Sequence, residues 1–115
     1  MKKIYTLLFF ISVGLYATAQ KNAVVKGVAF DSLSKRPIAF ATISLLAKQD
    51  SSLVSFSVTD DAGSFEFKNI RNGEYRLLIT HSSYRNSNTF LTVNDDNKFI
   101  NLGNIFMNDI SKTLG

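Results

Sequence analysis

The chain contains no cysteine. Disulfide cross-links are therefore excluded, and so is a lipid tether through an N-terminal Cys. A cysteine-free chain must hold itself together by packing alone. Histidine occurs once, at His81. A zinc centre takes several His, Cys or acidic ligands in a set geometry, so a multi-His site within one chain is excluded as well. No serine sits in a nucleophile-elbow pattern. Beyond residue 19 no run approaches the roughly 20 apolar residues of a membrane-spanning helix, and no stretch keeps a long helical period. Internal repeats and low-complexity segments are missing too. Proline occurs once, at Pro37 just before an apolar alternating run, where its absent N–H costs nothing.

What is present begins with a leader. Met1-Lys2-Lys3 is positive, Leu7 to Leu15 is an uncharged apolar run, and Ala17-Thr18-Ala19 supplies small residues in an A-x-A arrangement. These are the three parts of a secretory signal peptide: lysines that stay behind, a segment that enters the membrane, and side chains that fit the peptidase pocket. Cleavage is expected between Ala19 and Gln20. Lys2 and Lys3 leave with the leader, which takes the formal charge from +4 to about +2. The remaining Lys and Arg are scattered and form no one-face cluster of the kind nucleic-acid binding needs. Residues 20–108 have the length of one domain.

Alternation dominates this domain. Ala41, Ile43 and Leu45 share one face, as do Val54, Phe56 and Val58, Phe65 and Phe67, and Tyr75, Leu77 and Ile79. Each set predicts a strand with that face toward a core. Phe30, Phe40, Phe56, Phe65, Phe67, Phe90, Phe99 and Phe106, with Val, Ile and Leu, supply core material worth about 1.5–3 kcal/mol per buried side chain. Asp60-Asp61-Ala62-Gly63, Asn72-Gly73 and Asn94-Asp95-Asp96-Asn97 read as turns. Across Gly103 the apolar phase shifts, from Ile100 and Leu102 to Ile105 and Met107, which predicts a bulge or bend. Seven strands are expected, near 23–31, 38–47, 52–59, 64–69, 74–82, 86–93 and 98–108. Their number and spacing suggest an all-β, two-sheet Greek-key sandwich.

The motif residues also line up with a known family. Val25-Lys26-Gly27-Val28-Ala29-Phe30-Asp31 is close to a V-x-G-x-V-x-D opening, and Pro37-Ile38 and Ala41 to Leu45 follow. The most specific piece runs from Thr59-Asp60 through Gly63-Ser64-Phe65-Glu66-Phe67, Ile70 and Gly73-Glu74-Tyr75-Arg76-Leu77 to Ile79. Leu102-Gly103-Asn104-Ile105-Phe106-Met107 closes it. In order and spacing the chain resembles the carboxypeptidase regulatory-like domain, a transthyretin-like (prealbumin-like) β-sandwich. Two departures are Ala29, in place of a larger apolar residue, and Ser83-Tyr84, where Gly-Tyr is usual.

The resemblance implies an accessory domain without peptidase activity. Domains like it follow the signal peptide of TonB-dependent outer-membrane receptors and related barrels, ahead of plug and barrel. On that comparison residues 109–115 read as a linker, and Gly115 as a truncation before a further domain. The expected partners are other domains of the same envelope protein, or a periplasmic or outer-membrane protein. Transthyretin-like folds include hydroxyisourate hydrolases, but their several histidines and C-terminal motif are missing here. A free-standing periplasmic or secreted module for carbohydrate or peptide is the second reading, and a small hydrolase the third.

No catalytic, cofactor-binding or metal residue is assigned. His81 reads as a rim histidine satisfied by backbone or water. The Asp60-Asp61 and Asp95-Asp96 pairs lack the spacing of a calcium loop and read as solvated turns. Phe40 and Tyr84 are candidate exposed aromatics for sugar stacking. Lys48, Lys68, Arg71, Arg76 and Arg85 read as a solvated face.

Overall fold

A computed structural model describes residues 22–110. The leader, with Ala17, Ala19 and Gln20, lies outside the described residues, as does 111–115. The strands are β1 (Ala23–Asp31), β2 (Thr42–Ala47), β3 (Leu53–Val58), β4 (Ser64–Ile70), β5 (Gly73–His81), β6 (Tyr84–Val93) and β7 (Phe99–Met107). They form two sheets, ordered β4-β1-β7 and β3-β2-β5-β6. The β2–β3 and β5–β6 neighbours are antiparallel hairpins, β1 and β7 run parallel, and the other connections cross between sheets. The chain is thus the all-β, seven-stranded Greek-key sandwich that its alternation implies.

Alternation explains the core. Val25 and Ala29 of β1, Ile43 and Leu45 of β2, Phe65 and Phe67 of β4, and Leu77 and Ile79 of β5 are all buried between the sheets. Register reinforces this: Ile43 pairs with Ile79 and Leu45 with Leu77, so like apolar residues meet across β2 and β5. Tyr75, Leu91, Val93, Ile100 and Met107 complete the cluster. The bulge expected near Gly103 is present. Pairing between β1 and β7 slips between Lys26 and Val28, opposite Asn101 and Asn104, and Gly103 takes φ +68°.

Three expectations are corrected. The apolar stripe of β3 faces out, with Val54, Phe56 and Val58 exposed, while Ser55 and Ser57 are half-buried on the inner side. The cause lies one residue further on. Thr59 is buried, and a period of two then directs Ser57 and Ser55 inward with it. The aromatic contribution to the core is also smaller than expected: only Phe65 and Phe67 are fully buried, whereas Phe40, Phe56, Phe90, Phe99 and Phe106 are exposed. Last, β2 begins at Thr42 rather than near residue 38, because Phe40 sits at φ +60° in a left-handed kink. Asn72-Gly73 does mark a short connection, but one that joins β4 and β5 in different sheets.

Candidate interaction surface

Most of the polar residues that attract notice in the sequence are engaged in holding the fold. Asp31 ends β1, and its Oδ1 accepts the N–H groups of Leu33 and Ser34 at 2.8 and 3.1 Å. This is the local bonding that makes Asp a turn former. Asp31 Oδ2 accepts the Tyr84 hydroxyl at 2.7 Å, which ties the start of β6 to the end of β1 across the two sheets. Burial, then the bond to Asp31 and the negative charge of Asp31 and Asp109, push the Tyr84 phenol up to about 12. Its ring stands edge-on to His81, centroids 5.3 Å apart. With its hydroxyl bonded and one ring edge packed, Tyr84 is no free stacking platform. His81 Nδ1 accepts the Ser83 N–H at 3.1 Å. The chain remains tied to this corner at Ile110, whose N–H donates to Ser83 O at 3.0 Å.

Asp60 Oδ1 accepts from Ala62 and Ser64 at 2.9 Å each, closing the β3–β4 turn. Gly63 is needed there: its φ is +75°, and a Cβ would lie 2.6 Å from Ala29 O. At Gly27 a Cβ would meet the Phe65 ring at 2.8 Å, so the missing side chain is what admits that ring. Pro37 forms a single bridge with Phe30, and Tyr75 donates its hydroxyl to Arg71 O at 2.6 Å. Burial raises the Tyr75 pKa, with the Arg71 charge opposing. Thr59, quoted above only as a motif residue, is a pin. Its hydroxyl donates to Ile38 O at 2.7 Å and accepts the Ala41 N–H at 2.9 Å. Only long-range geometry shows this, since a lone Thr at a strand end gives no signal of burial.

Among the described residues no group of three or more His, Cys, Asp or Glu is placed to hold a metal ion, and no helix is long and apolar enough to cross a membrane. The clefts are open. Phe40, Thr42, Thr80, His81, Ser82 and Asn86 line a shallow depression of about 470 Å³. A groove of about 480 Å³ runs past Lys26, Gly27, Ser57, Val58, Asp60 and Glu66.

What stands out instead is apolar surface. On the outer face of the four-stranded sheet, register sets Val58 beside Thr42 and Thr80, and Phe56 beside Ser44, Leu78 and Asn88. The next row holds Leu46, Arg76 and Phe90. Lysines lie over three of the exposed rings. Lys26 lies 5.0 Å over Phe99, Lys35 4.5 Å over Phe106 and Lys48 5.9 Å over Phe90. Among the described residues no such cation covers Phe56, which is 65 % exposed. The other basic residues named above do not form one face: Lys68 pairs with Glu66 at 3.6 Å, and Arg76 donates to Asn88 at 2.7 Å.

Solved structures share this fold. The major pilin subunit BcpA of Bacillus cereus superposes with a TM-score of 0.64 at 17% identity, over 77% of this chain and 30% of that one. The pilus 2b backbone protein of group B streptococcus gives 0.62 at 12% identity, over 82% and 43%. The 5-hydroxyisourate hydrolase of Klebsiella pneumoniae gives 0.56 at 14% identity, over 75% and 86%. The chain spans about a third of the Bacillus pilin's length, and identities this low show the fold alone. No curated protein matches the sequence. The family model for the carboxypeptidase regulatory-like domain matches residues 24–104, from β1 into β7. The chain belongs to the carboxypeptidase regulatory-like domain family.

Proposed function

We propose that this is an exported, non-catalytic accessory domain that works by protein–protein contact, as the N-terminal periplasmic domain of a TonB-dependent outer-membrane receptor or a related barrel. The observation that carries the reading is a contrast on the surface. Asp31, Thr59, Asp60, Tyr75, His81 and Tyr84 all have structural hydrogen bonds. The outer face of β3, by contrast, presents Val54, Phe56 and Val58 to solvent with no charge among them. Uncovered apolar sheet surface suits a docking role better than a reaction. The leader pattern of residues 1–19 supports export, and the family supports a modular place next to other domains.

Cell fractionation tests this. An antibody against residues 20–115 is expected to detect a band far larger than this chain in the outer membrane. A small soluble periplasmic band would replace the receptor reading with a free-standing binding module.

A further inference from the structure

We infer that β3 is a self-pairing edge, through which two copies of this chain join in an antiparallel, twofold-symmetric contact centred on Phe56. The inference rests on the reading above, that the chain acts by protein contact, and it names the partner as a second copy.

Each sheet has two edges, β4 and β7 in one and β3 and β6 in the other. Three of the four are protected in the ways soluble proteins use. Strand β4 carries Glu66 and Lys68, and β6 carries Arg85. Strand β7 is broken by the bulge at Gly103, with Lys26 and Lys35 over its end rings. Strands β3, Leu53-Val54-Ser55-Phe56-Ser57-Val58, and β7 both lack charge and proline, but no lysine lies over the exposed Phe56 ring among the described residues, and the one pairing irregularity of β3 falls at Val54, leaving Ser55 to Val58 regularly paired.

The sequence of this edge points to its occupant. Val54-Ser55-Phe56-Ser57-Val58 reads the same in both directions. An antiparallel pair with twofold symmetry about Phe56 sets Phe56 against Phe56, Val54 against Val58, and Ser55 against Ser57. Every residue then meets its own chemical kind, which is the self-complementarity an isologous contact requires.

Main-chain geometry agrees. Thr59 donates its N–H to Ala41 O within the β2 pairing. Alternate residues of a strand aim their groups to the same side, so Ser57 faces β2 while Phe56 and Val58 face the open edge. Two Phe56 residues can therefore exchange both hydrogen bonds. The charges nearest in the chain, Asp50, Asp60 and Asp61, lie outside the palindrome, and Lys26 and Glu66 share a groove with Ser57 and Val58 at one end of it. Leu53, Val54, Phe56 and Val58 are 58, 45, 65 and 50 % exposed. Joining two such edges buries roughly 1,000 Å² in total, the lower end of specific interfaces, so a concentration-dependent dimer is expected rather than a permanent one.

The test uses the full chain as the cell processes it. Sedimentation velocity across rising concentration should show a monomer–dimer equilibrium. Phe56→Lys should shift it at least tenfold toward monomer, whereas Phe90→Lys, on the same face but not on β3, should not. Because the chain has no Cys, Phe56→Cys gives a register test independent of those variants. Paired Phe56 positions lie about 5.5 Å apart between Cα atoms, within disulfide reach. Two Val58 positions lie about 13 Å apart along the strands. Oxidation should cross-link Phe56→Cys and spare Val58→Cys. A chain that stays monomeric and uncross-linked, a dimer that survives Phe56→Lys, or equal cross-linking at Val58 would each overturn the proposal. None of these results alters the fractionation outcome, so failure of the dimer and failure of the accessory-domain reading are separable.

Discussion

Thr59→Val removes one oxygen from a buried site and keeps the shape of the side chain. The hydroxyl accepts the Ala41 N–H at 2.9 Å and donates to Ile38 O at 2.7 Å. The main chain of the same residue adds Phe40 N–H to Thr59 O at 3.1 Å and Thr59 N–H to Ala41 O at 2.9 Å. Together these four bonds hold the 38–41 segment against the end of β3, with Phe40 kept in its left-handed kink. Valine leaves one donor and one acceptor without partners. At about 1–3 kcal/mol for each buried unsatisfied group, and some relaxation, the loss should be about 2–4 kcal/mol. For a domain of this size that lowers Tm by roughly 10–25 °C. Thr59→Ser keeps the hydroxyl and loses one methyl, so it should cost about 1 kcal/mol. Urea unfolding of both variants, read at constant m-value, decides the matter. If valine is tolerated as well as serine, the two side-chain bonds are not what holds the kink.

The core makes an independent prediction: Phe65→Ala and Phe67→Ala should each cost about 3–5 kcal/mol in urea unfolding, because both rings are buried, and losses below about 1 kcal/mol would contradict the strand phase. Gly63 and Gly103 both have positive φ, yet an added Cβ meets Ala29 O at 2.6 Å in the first and nothing within 4 Å in the second. Gly103→Ala should therefore cost about 1–2 kcal/mol, the left-handed penalty alone, and Gly63→Ala clearly more. For Tyr84 the folded pKa lies above the ordinary value of 10.0, at about 12. Its contribution is complete below pH 10 and is lost as pH rises through about 12. Thermal unfolding followed from pH 9 to 12 should show that decline, and Tyr84→Phe should lessen it, leaving the smaller effect of Tyr75, whose pKa is raised in the same direction.

The fold was legible because period-two alternation and turn residues agree along the chain. Gly103 is the clearest case, since the phase shift from Leu102 to Ile105 is visible in the sequence and appears as the bulge itself. Strand β3 departs from its sequence pattern for a physical reason. Alternation tells which residues share a face, not which face turns inward. Val54, Phe56 and Val58 look like a core stripe until Thr59, a polar residue, proves to be the buried member. The exposed rings of Phe99 and Phe106 were unreadable in the same way, because the lysines that cover them lie on or just after β1. The sequence offers the Tyr84 ring as a stacking surface, but its hydroxyl partner Asp31 lies at the far end of another strand.

The parallel pairing of β1 with β7 has a mechanical consequence. Ala23 begins β1 and Phe99 begins β7 at one pole of the sandwich, and Asp31 and Met107 end them at the other. The polypeptide thus enters at one pole and leaves at the opposite one, so the domain is strung in line with its chain. Tension applied between the two ends would pull β1 and β7 past one another along their length. The bonds between these parallel strands, on either side of the bulge at Gly103, would then share the load and yield together rather than unzip singly. For a domain strung this way, resistance to a pull between its two ends would be set by the rate at which it unfolds.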